Sequence, residues 1–415
     1  MSSVPRIAIF GLLGSGNLGN HGSFDAMLRY LRAAQPHADI TCVCADPQEM
    51  ERQYGLRSFA ITWYDAHATG GSRFPSFVLK AFGKIADVVR TFRWVRTFDV
   101  VIVPGMGVLE ATLPIRPWGV PYALFLVSFW GRLTGTKVAL VSVGANRMRQ
   151  PVTRWFIVSA AKLAFYRSYR DDASRTAMQG MGVDTSRDGV FPDLAFAVPS
   201  VRQATGRTGT VGVGVMAYAG THLDRRQADQ IYTSYVDKLV SFVRWLIDNG
   251  DRVQLFTGDP ADEATASLIE TEIRQSRPHL ADRVVREHAL SFGELMRQMS
   301  AVDVVVASRY HNVLAGLRLA KPTISISYAD KNDVLMESMG MAEYCQPIRA
   351  IDVSRLIEQF RVLAAADDRL HSMLREKNEQ NMSLLDQQNT ALSAILFTAQ
   401  GRADVAANAG LIQGD

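Results

Sequence analysis

Val302-Asp303-Val304-Val305-Val306-Ala307-Ser308-Arg309-Tyr310-His311-Asn312 is a short β-branched run that stops at Ser308 and gives way to a helical pattern from His311. A continuous apolar run bounded by polar residues reads as a strand buried on both faces, the kind that builds parallel sheets. The helix His311–Leu319 follows, then the tight turn Leu319-Ala320-Lys321-Pro322, then a second strand, Pro322–Ser327, which ends in Tyr328-Ala329-Asp330-Lys331. Open α/β sheets bind ligands at the C-terminal ends of their strands. Arg309, His311 and Lys331 all fall there. An Arg fork pairs in bidentate fashion with carboxylate or phosphate, Lys adds a point charge, and His donates or shuttles a proton near neutrality. That set suits a small, strongly anionic ligand. A lone His at a helix start is more often a capping residue; its two cationic neighbours favour the functional reading here.

Working outward, the same strand-and-helix alternation covers most of the chain. Arg6–Phe10, Asp39–Ala45, Val100–Val103, Lys137–Val143 and Leu163–Ser168 read as short buried strands, each followed by a polar or glycine-rich turn. Val198 to Gly209 is polar and turn-rich, and the pattern restarts with Val211–Met216, Ile231–Asn249 (a long amphipathic helix) and Val253–Thr257. The expected fold class is therefore α/β, with two Rossmann-like domains facing across a cleft. Residues 1–200 form the N-terminal domain on the acceptor side and 205–350 the C-terminal domain on the donor side. Residues 351–400 are a helical segment and 401–415 a flexible tail. Two similar α/β domains in tandem make a cleft between them the natural ligand site.

Composition narrows the function classes. With 45 Lys+Arg against 41 Asp+Glu the formal net charge is +4, and no long basic cluster or aromatic-basic module appears, so nucleic acid is not an expected partner. Three cysteines (Cys42, Cys44, Cys345) are too few for a disulfide framework and favour a reducing compartment, the cytoplasm. Cys42 and Cys44 share one face of a strand and read as small core residues; no partner pair nearby makes a metal site of them. Met1-Ser2-Ser3-Val4-Pro5-Arg6 enters a strand at once and does not read as a signal peptide. The apolar stretch Trp118 to Trp130 falls short of the roughly 20 residues that span a bilayer and reads as a buried helix. Residues 78–98 carry Lys80, Lys84, Arg90, Arg93 and Arg96 on a helix whose other face holds Val78, Phe82, Ile85, Val89 and Phe92. Such a helix either packs on the core with a solvated basic face or lies peripherally on the inner face of a membrane.

Three further segments could carry chemistry. The loop Gly11-Leu12-Leu13-Gly14-Ser15-Gly16-Asn17-Leu18-Gly19-Asn20-His21-Gly22-Ser23 follows the first strand, and a helix is expected from about Ser23. Its glycines let backbone amides approach an anion. The Gly14-x-Gly16-x-x-Gly19 spacing matches a dinucleotide fingerprint, but the second strand does not close on a clear ribose-binding acid, so no nicotinamide or flavin cofactor is expected. Gly16, Asn17, Asn20 and His21 are read as a substrate loop on the acceptor side. Pro104-Gly105-Met106-Gly107-Val108-Leu109-Glu110 places Glu110 after a buried strand, either as a carboxylate that takes an acceptor proton or as a first-turn Glu favoured by a helix dipole. Arg170-Asp171-Asp172-Ala173-Ser174 offers Arg170 as an anion clamp, with Asp171 or Asp172 as the cap of the next helix.

Gly16-Asn17-Leu18-Gly19, Pro104-Gly105-x-Gly107, Arg170-Asp171-x-x-Ser174, Phe191-Pro192-Asp193, Ser308-Arg309-Tyr310-His311 and Tyr328-Ala329-Asp330-Lys331 occur in the order seen in polysaccharide pyruvyl transferases. The chain resembles that family over roughly residues 6 to 345. The resemblance implies a GT-B-like fold and transfer of a pyruvyl group from phosphoenolpyruvate to a saccharide or lipid-linked oligosaccharide, commonly as a cyclic ketal, as in exopolysaccharide and cell-envelope biosynthesis. It implies phosphoenolpyruvate binding by Arg170, Arg309, His311 and Lys331, catalysis by His311 and Arg309, and no metal or resident cofactor. Where the family loop usually continues after Gly19 with two acidic residues, this chain has Asn20-His21. Two alternatives stand beside this reading: a GT-B glycosyltransferase using a nucleotide-activated sugar, and a catalytically silent glycan-binding relative, which the Asn20-His21 departure favours.

Overall fold

A computed structural model describes residues 4–63, 76–111, 116–199, 206–221 and 224–397, with the backbone alone for 76–81. The tail 401–415, the residues 200–205 of the expected boundary and the side chains of Val78 and Lys80 lie outside the described residues. The chain divides into two units: Met1–Ser15, Ser23–Leu194 and Ser383–Asp415 in the first, Gly16–Gly22 and Ala195–Met382 in the second.

The first unit holds a seven-stranded sheet in the order β3-β2-β1-β4-β5-β6-β7, in which every pair is parallel. Its strands are β1 (Arg6–Phe10), β2 (Asp39–Cys44), β3 (Ser58–Ala60), β4 (Val100–Pro104), β5 (Lys137–Val143), β6 (Tyr166–Tyr169) and β7 (Gly189–Val190). The chain winds outward from β1 to β3, then returns to β4 beside β1 and winds the other way. The order therefore reverses between β1 and β4, where doubly wound sheets open a ligand crevice. β4 is buried along its whole length, which is why its sequence, Val-Val-Ile-Val-Pro, shows no polar alternation. Helices α1 (Leu18–Ala34), α2 (Pro47–Tyr54), α3 (Ser76–Val95), α4 (Val120–Thr134), α5 (Pro151–Leu163) and α6 (Asp172–Gly180) connect the strands. Pro121 and Pro151 start α4 and α5, where a missing N–H costs nothing, and Gly135 ends α4 in the left-handed conformation.

The second unit repeats the plan with a parallel six-stranded sheet, β10-β9-β8-β11-β12-β13, that reverses between β8 and β11. Its strands are β8 (Thr210–Gly214), β9 (Arg252–Phe256), β10 (Val284–Arg286), β11 (Val304–Ala307), β12 (Thr323–Ser327) and β13 (Cys345–Pro347). Its helices include α7 (Ala228–Asp248), α8 (Glu263–Ser276), α9 (Phe292–Met299), α10 (Tyr310–Arg318), α11 (Asp330–Ser338) and α12 (Val353–Ala364). The last helix, α13 (Asp368–Phe397), is anchored within the second unit by Asn378, which donates to the Leu317 carbonyl (2.8 Å). Its C-terminal turns belong to the first unit, where Gln388 bonds Ser142 and Ser168 and the Leu396 carbonyl accepts from Lys137.

Three expectations shift. The strand expected over Leu163–Ser168 runs over Tyr166–Tyr169, because Leu163 ends α5. The two- and three-residue strands β3, β7, β10 and β13 are too short to leave a periodicity in the sequence. Helix α1 begins at Leu18 rather than near Ser23, so Gly19 and Gly22 lie inside it. Helical glycine is disfavoured by about 1 kcal/mol relative to Ala, which is why the pattern pointed to a later start. Tertiary packing overrides it: a Cβ on Gly19 would overlap the His311 imidazole, and one on Gly22 would stand 2.9 Å from the Phe292 ring.

Candidate functional site

The second unit carries the three strand-end residues Arg309, His311 and Lys331. Arg309 occupies the N-cap position of α10 in extended conformation, directly after β11. Its guanidinium forms a bidentate pair with Asp262: Nε donates to Oδ2 (2.9 Å) and Nη2 to Oδ1 (2.6 Å). Asp262 is fully buried and also accepts from the backbone amides of Ala217 (2.8 Å) and Gly258 (3.1 Å), at the ends of β8 and β9. Four donors on one carboxylate satisfy its lone pairs, the condition under which a buried ion pair is tolerated. Burial opposes the charge on Arg309, but the Asp262 hydrogen bonds and charge outweigh it and raise its pKa above the ordinary value. The backbone just before Arg309 is equally fixed: Ser308 Oγ bonds Tyr235 Oη (2.8 Å), Tyr235 Oη accepts from the Met216 amide (3.1 Å), and Asn332 donates to the Ser308 carbonyl (3.0 Å).

His311 packs edge-on against the Tyr310 ring (5.0 Å between centroids) and lies against Gly19 of α1. Lys331, in the first turn of α11, holds its Nζ over the rings of Tyr310 (5.6 Å) and Tyr328 (5.3 Å). Tyr310 therefore touches both His311 and Lys331, and β11 and β12 are adjacent parallel strands. Asn312, one residue further on, is fully buried beside two glycines. A Cβ on Gly214 would lie 2.9 Å from its Nδ2, and one on Gly258 2.8 Å from its Oδ1. The bare backbone at these two strand ends is thus required by the side chains above it.

The glycine loop joins this unit. Gly16 packs on Pro260, Asn17 donates to Asp259 (3.2 Å) and accepts from the Asn20 amide (3.3 Å), and the Leu18 amide donates to the Gly258 carbonyl (3.0 Å). Asn17 thereby caps α1. His21 is buried.

Glu110 and Arg170 meet in the first unit. Arg170 follows β6; its Nη2 is hydrogen-bonded to Glu110, its Nη1 faces Asp193 (3.6 Å) and its Nε faces Asp171 (3.5 Å). Asp171 doubles as the N-cap of α6, as expected, accepting from the Ser174 amide. The guanidinium and the Asp193 carboxylate are almost wholly buried. A Cβ on Gly144 would meet the Arg170 guanidinium at 2.6 Å, and one on Gly107 the Glu110 carboxylate at 2.8 Å, so the pair rests on glycine backbone. Breaking a buried pair on one side typically costs about 3–5 kcal/mol. Glu110→Gln should therefore unfold at distinctly lower denaturant concentration than the wild type, but lose less than Arg170→Met, which strands Glu110 and Asp193 together. A Glu110→Gln protein as stable as the wild type, measured by urea titration, would mean that the pair is not energetically coupled.

Asp262 and Tyr235 escaped the sequence reading. Asp262 precedes α8 and looks there like an ordinary helix cap, yet it makes no capping bond with its side chain and turns it to Arg309 instead. Among the described residues no group of three His, Cys, Asp or Glu side chains is arranged to hold a metal ion.

No curated protein matches the chain by sequence. Solved structures match its fold at low identity. UDP-GlcNAc 2-epimerase from Neisseria meningitidis, bound to UDP-GlcNAc, is 8% identical with a TM-score of 0.59, over 94% of this chain and 100% of that one. The Methanocaldococcus jannaschii UDP-GlcNAc 2-epimerase is 9% identical with a TM-score of 0.57, over 87% and 93%. A glycosyltransferase from Rickettsia africae is 9% identical with a TM-score of 0.56, over 96% and 100%. These likenesses establish the GT-B class of α/β fold. The model of the polysaccharide pyruvyl transferase family matches residues 17–330, a stretch that contains Asn17, Glu110, Arg170, Arg309 and His311, and the chain belongs to that family.

Proposed function

We propose that this protein moves a pyruvyl group from phosphoenolpyruvate to a sugar of a cell-surface glycan or its lipid-linked precursor, closing a cyclic ketal. The observation that carries the reading is the family match joined to the strand ends of the second unit: Arg309 held by Asp262, with His311 and Lys331 both against Tyr310. The Asp262 bonds take the Nε edge of the guanidinium, and a carboxylate or phosphate would take the other edge. Lys331 supplies a second charge. Phosphoenolpyruvate bears both anionic groups on three carbons.

In the reaction, the methylene carbon gains a proton and the central carbon becomes electrophilic. One sugar hydroxyl bonds to that carbon, the carbon–oxygen bond to phosphate breaks, and the second hydroxyl closes the ring. Of the two hydroxyl protons, one is balanced by the new methyl hydrogen and the other leaves with phosphate. Arg309 and Lys331 stabilise the departing phosphate and the carboxylate. His311 moves the proton or supports the phosphate. The resemblance adds Arg170 as a further donor-binding cation, and the position of Glu110, its ion-pair partner, after a buried strand makes it our candidate for the acceptor hydroxyl. Because the donor is a cytoplasmic metabolite, the reaction belongs on that side of the membrane.

A nucleotide-sugar glycosyltransferase is the second reading, supported by the UDP-GlcNAc held by the Neisseria protein of like fold. A thermal-shift comparison separates the two, since a ligand that binds only the folded state raises Tm. Phosphoenolpyruvate at about 100 times its Kd should stabilise by about 2.7 kcal/mol, and UDP-sugars should leave Tm unchanged. Stabilisation by UDP-sugars alone would reverse the ranking.

A further inference from the structure

Helix α3 of the first unit is built inside out. Among its described side chains the buried positions are Gly83, Asp87, Thr91 and Val95, whereas Phe82, Ile85 and Val89 are 56%, 69% and 49% exposed. The inward Asp87 is fully used: it accepts from the Trp63 amide (2.6 Å) and bridges Lys84 (3.2 Å) and Arg90. The outward stripe continues at the same spacing into Arg93 and Arg96, both exposed. An apolar face turned to water is normally the mark of an interaction surface.

The neighbouring helices extend it. Trp118, two residues before α4, and Trp155, on α5, are 54% and 56% exposed; with Phe82 they are the exposed Phe and Trp side chains among the described residues. They stand on a connected layer of rings: Trp118 on Phe156 (5.3 Å), Trp155 on Phe125 (5.0 Å), and Trp130 on Phe92 (4.9 Å). Between residues 82 and 163 the chain has eleven Lys and Arg against three Asp and Glu. All three acids are tied up, Asp87 with Lys84, Asp99 with Arg6 and Glu110 with Arg170.

We propose that this α3–α4–α5 face docks on an anionic phospholipid bilayer. Charge complementarity selects the occupant. Exposed aromatics and aliphatics insert at headgroup depth while the uncompensated Arg and Lys meet lipid phosphates. Indole rings favour that interface. Among the described residues no helix is long and apolar enough to cross a membrane, so the contact is peripheral. The surface would hold the enzyme where a lipid-linked acceptor resides, and it stands whichever donor the site uses.

The test is sedimentation of the full-length protein with vesicles of phosphatidylcholine alone or with about 30% phosphatidylglycerol, at about 0.1 M salt to limit screening. Binding to the anionic vesicles, weak binding to neutral ones, and a blue shift of tryptophan fluorescence on binding are expected. With each basic residue worth about 1 kcal/mol at such a surface, Arg93→Gln with Arg96→Gln should lower the partition coefficient about 30-fold. Phe82→Ser with Ile85→Ser should lower it about tenfold or more, while Leu268→Ser, an exposed apolar residue of the second unit, should leave it unchanged. All these positions are exposed, so folding is preserved, checked by Tm. Failure of the wild type to sediment, or equal sedimentation of all variants, overturns the proposal. So does a concentration-dependent dimer in lipid-free ultracentrifugation that the Phe82/Ile85 variant abolishes, because the face would then be a subunit contact.

Discussion

Asp262→Asn should cost both stability and activity while leaving Arg309, His311 and Lys331 in place. The carboxylate touches no substrate in the proposed reaction; it positions Arg309. Its loss leaves a guanidinium whose side chain is only 13% exposed facing a neutral amide, and it unpairs a charge that burial alone would suppress. One-sided removal of a buried pair costs about 3–5 kcal/mol. A misplaced fork also loses transition-state stabilisation of the kind worth about 100- to 1000-fold in kcat. Arg309→Lys tests the same link from the other side. It keeps a positive charge but cannot bridge two oxygens of Asp262 and a ligand anion together. The two variants should therefore lose kcat in phosphate release from phosphoenolpyruvate and acceptor, each by about 100-fold or more. Urea titration and saturation kinetics on both variants are the measurements. A large stability loss for Asp262→Asn with kcat intact would remove Asp262 from the site and leave it a purely structural acid.

Gly19→Ala is the second large effect, and its sign is informative. In an unconstrained helix the change would stabilise by about 1 kcal/mol. Here the added methyl would overlap His311, so the imidazole or the first turn of α1 must move. Overpacking of this kind costs about 1–3 kcal/mol. Activity should fall to the level of His311→Ala, since both variants take the ring from its position. Combining the two should restore stability, because the deleted imidazole makes room for the methyl, without restoring activity. Phosphate release and Tm for the two single variants and the double decide it. A Gly19→Ala protein more stable than wild type with full activity would mean that the contact is not maintained in solution. Full phosphate release by His311→Ala would separately remove His311 from proton transfer.

Much of the fold is legible because parallel strands buried on both faces must be continuous apolar runs. Val304–Ala307 and Val100–Pro104 are read directly from that rule, while Thr323–Ser327, which alternates Thr and Ser with Ile, is read from the tight turn before it. The turns after them, which carry Arg309, Glu110 and Lys331, are legible as strand ends for the same reason. The two-residue β7 and the early start of α1 are not. One is too short for any period, and the other runs against glycine's intrinsic preference. Helix α3 shows the converse. Its periodicity is helical, but period alone does not say which face is inside, and the partners of the buried Asp87 decide it.

The sequence by itself determined the parallel α/β plan, its repetition in two units, and the cations at the ends of β11 and β12. Each of these is a property of local runs and their boundaries. Only the tertiary structure decided that Arg309 is held by Asp262, 47 positions away, that Gly19 lies against His311, and that Arg170 belongs with Glu110, 60 positions away, and Asp193. The two ion pairs follow from strand order, with β8 seated between β9 and β11 and β5 between β4 and β6. Strand order is set by the packing of distant segments, which no local pattern encodes.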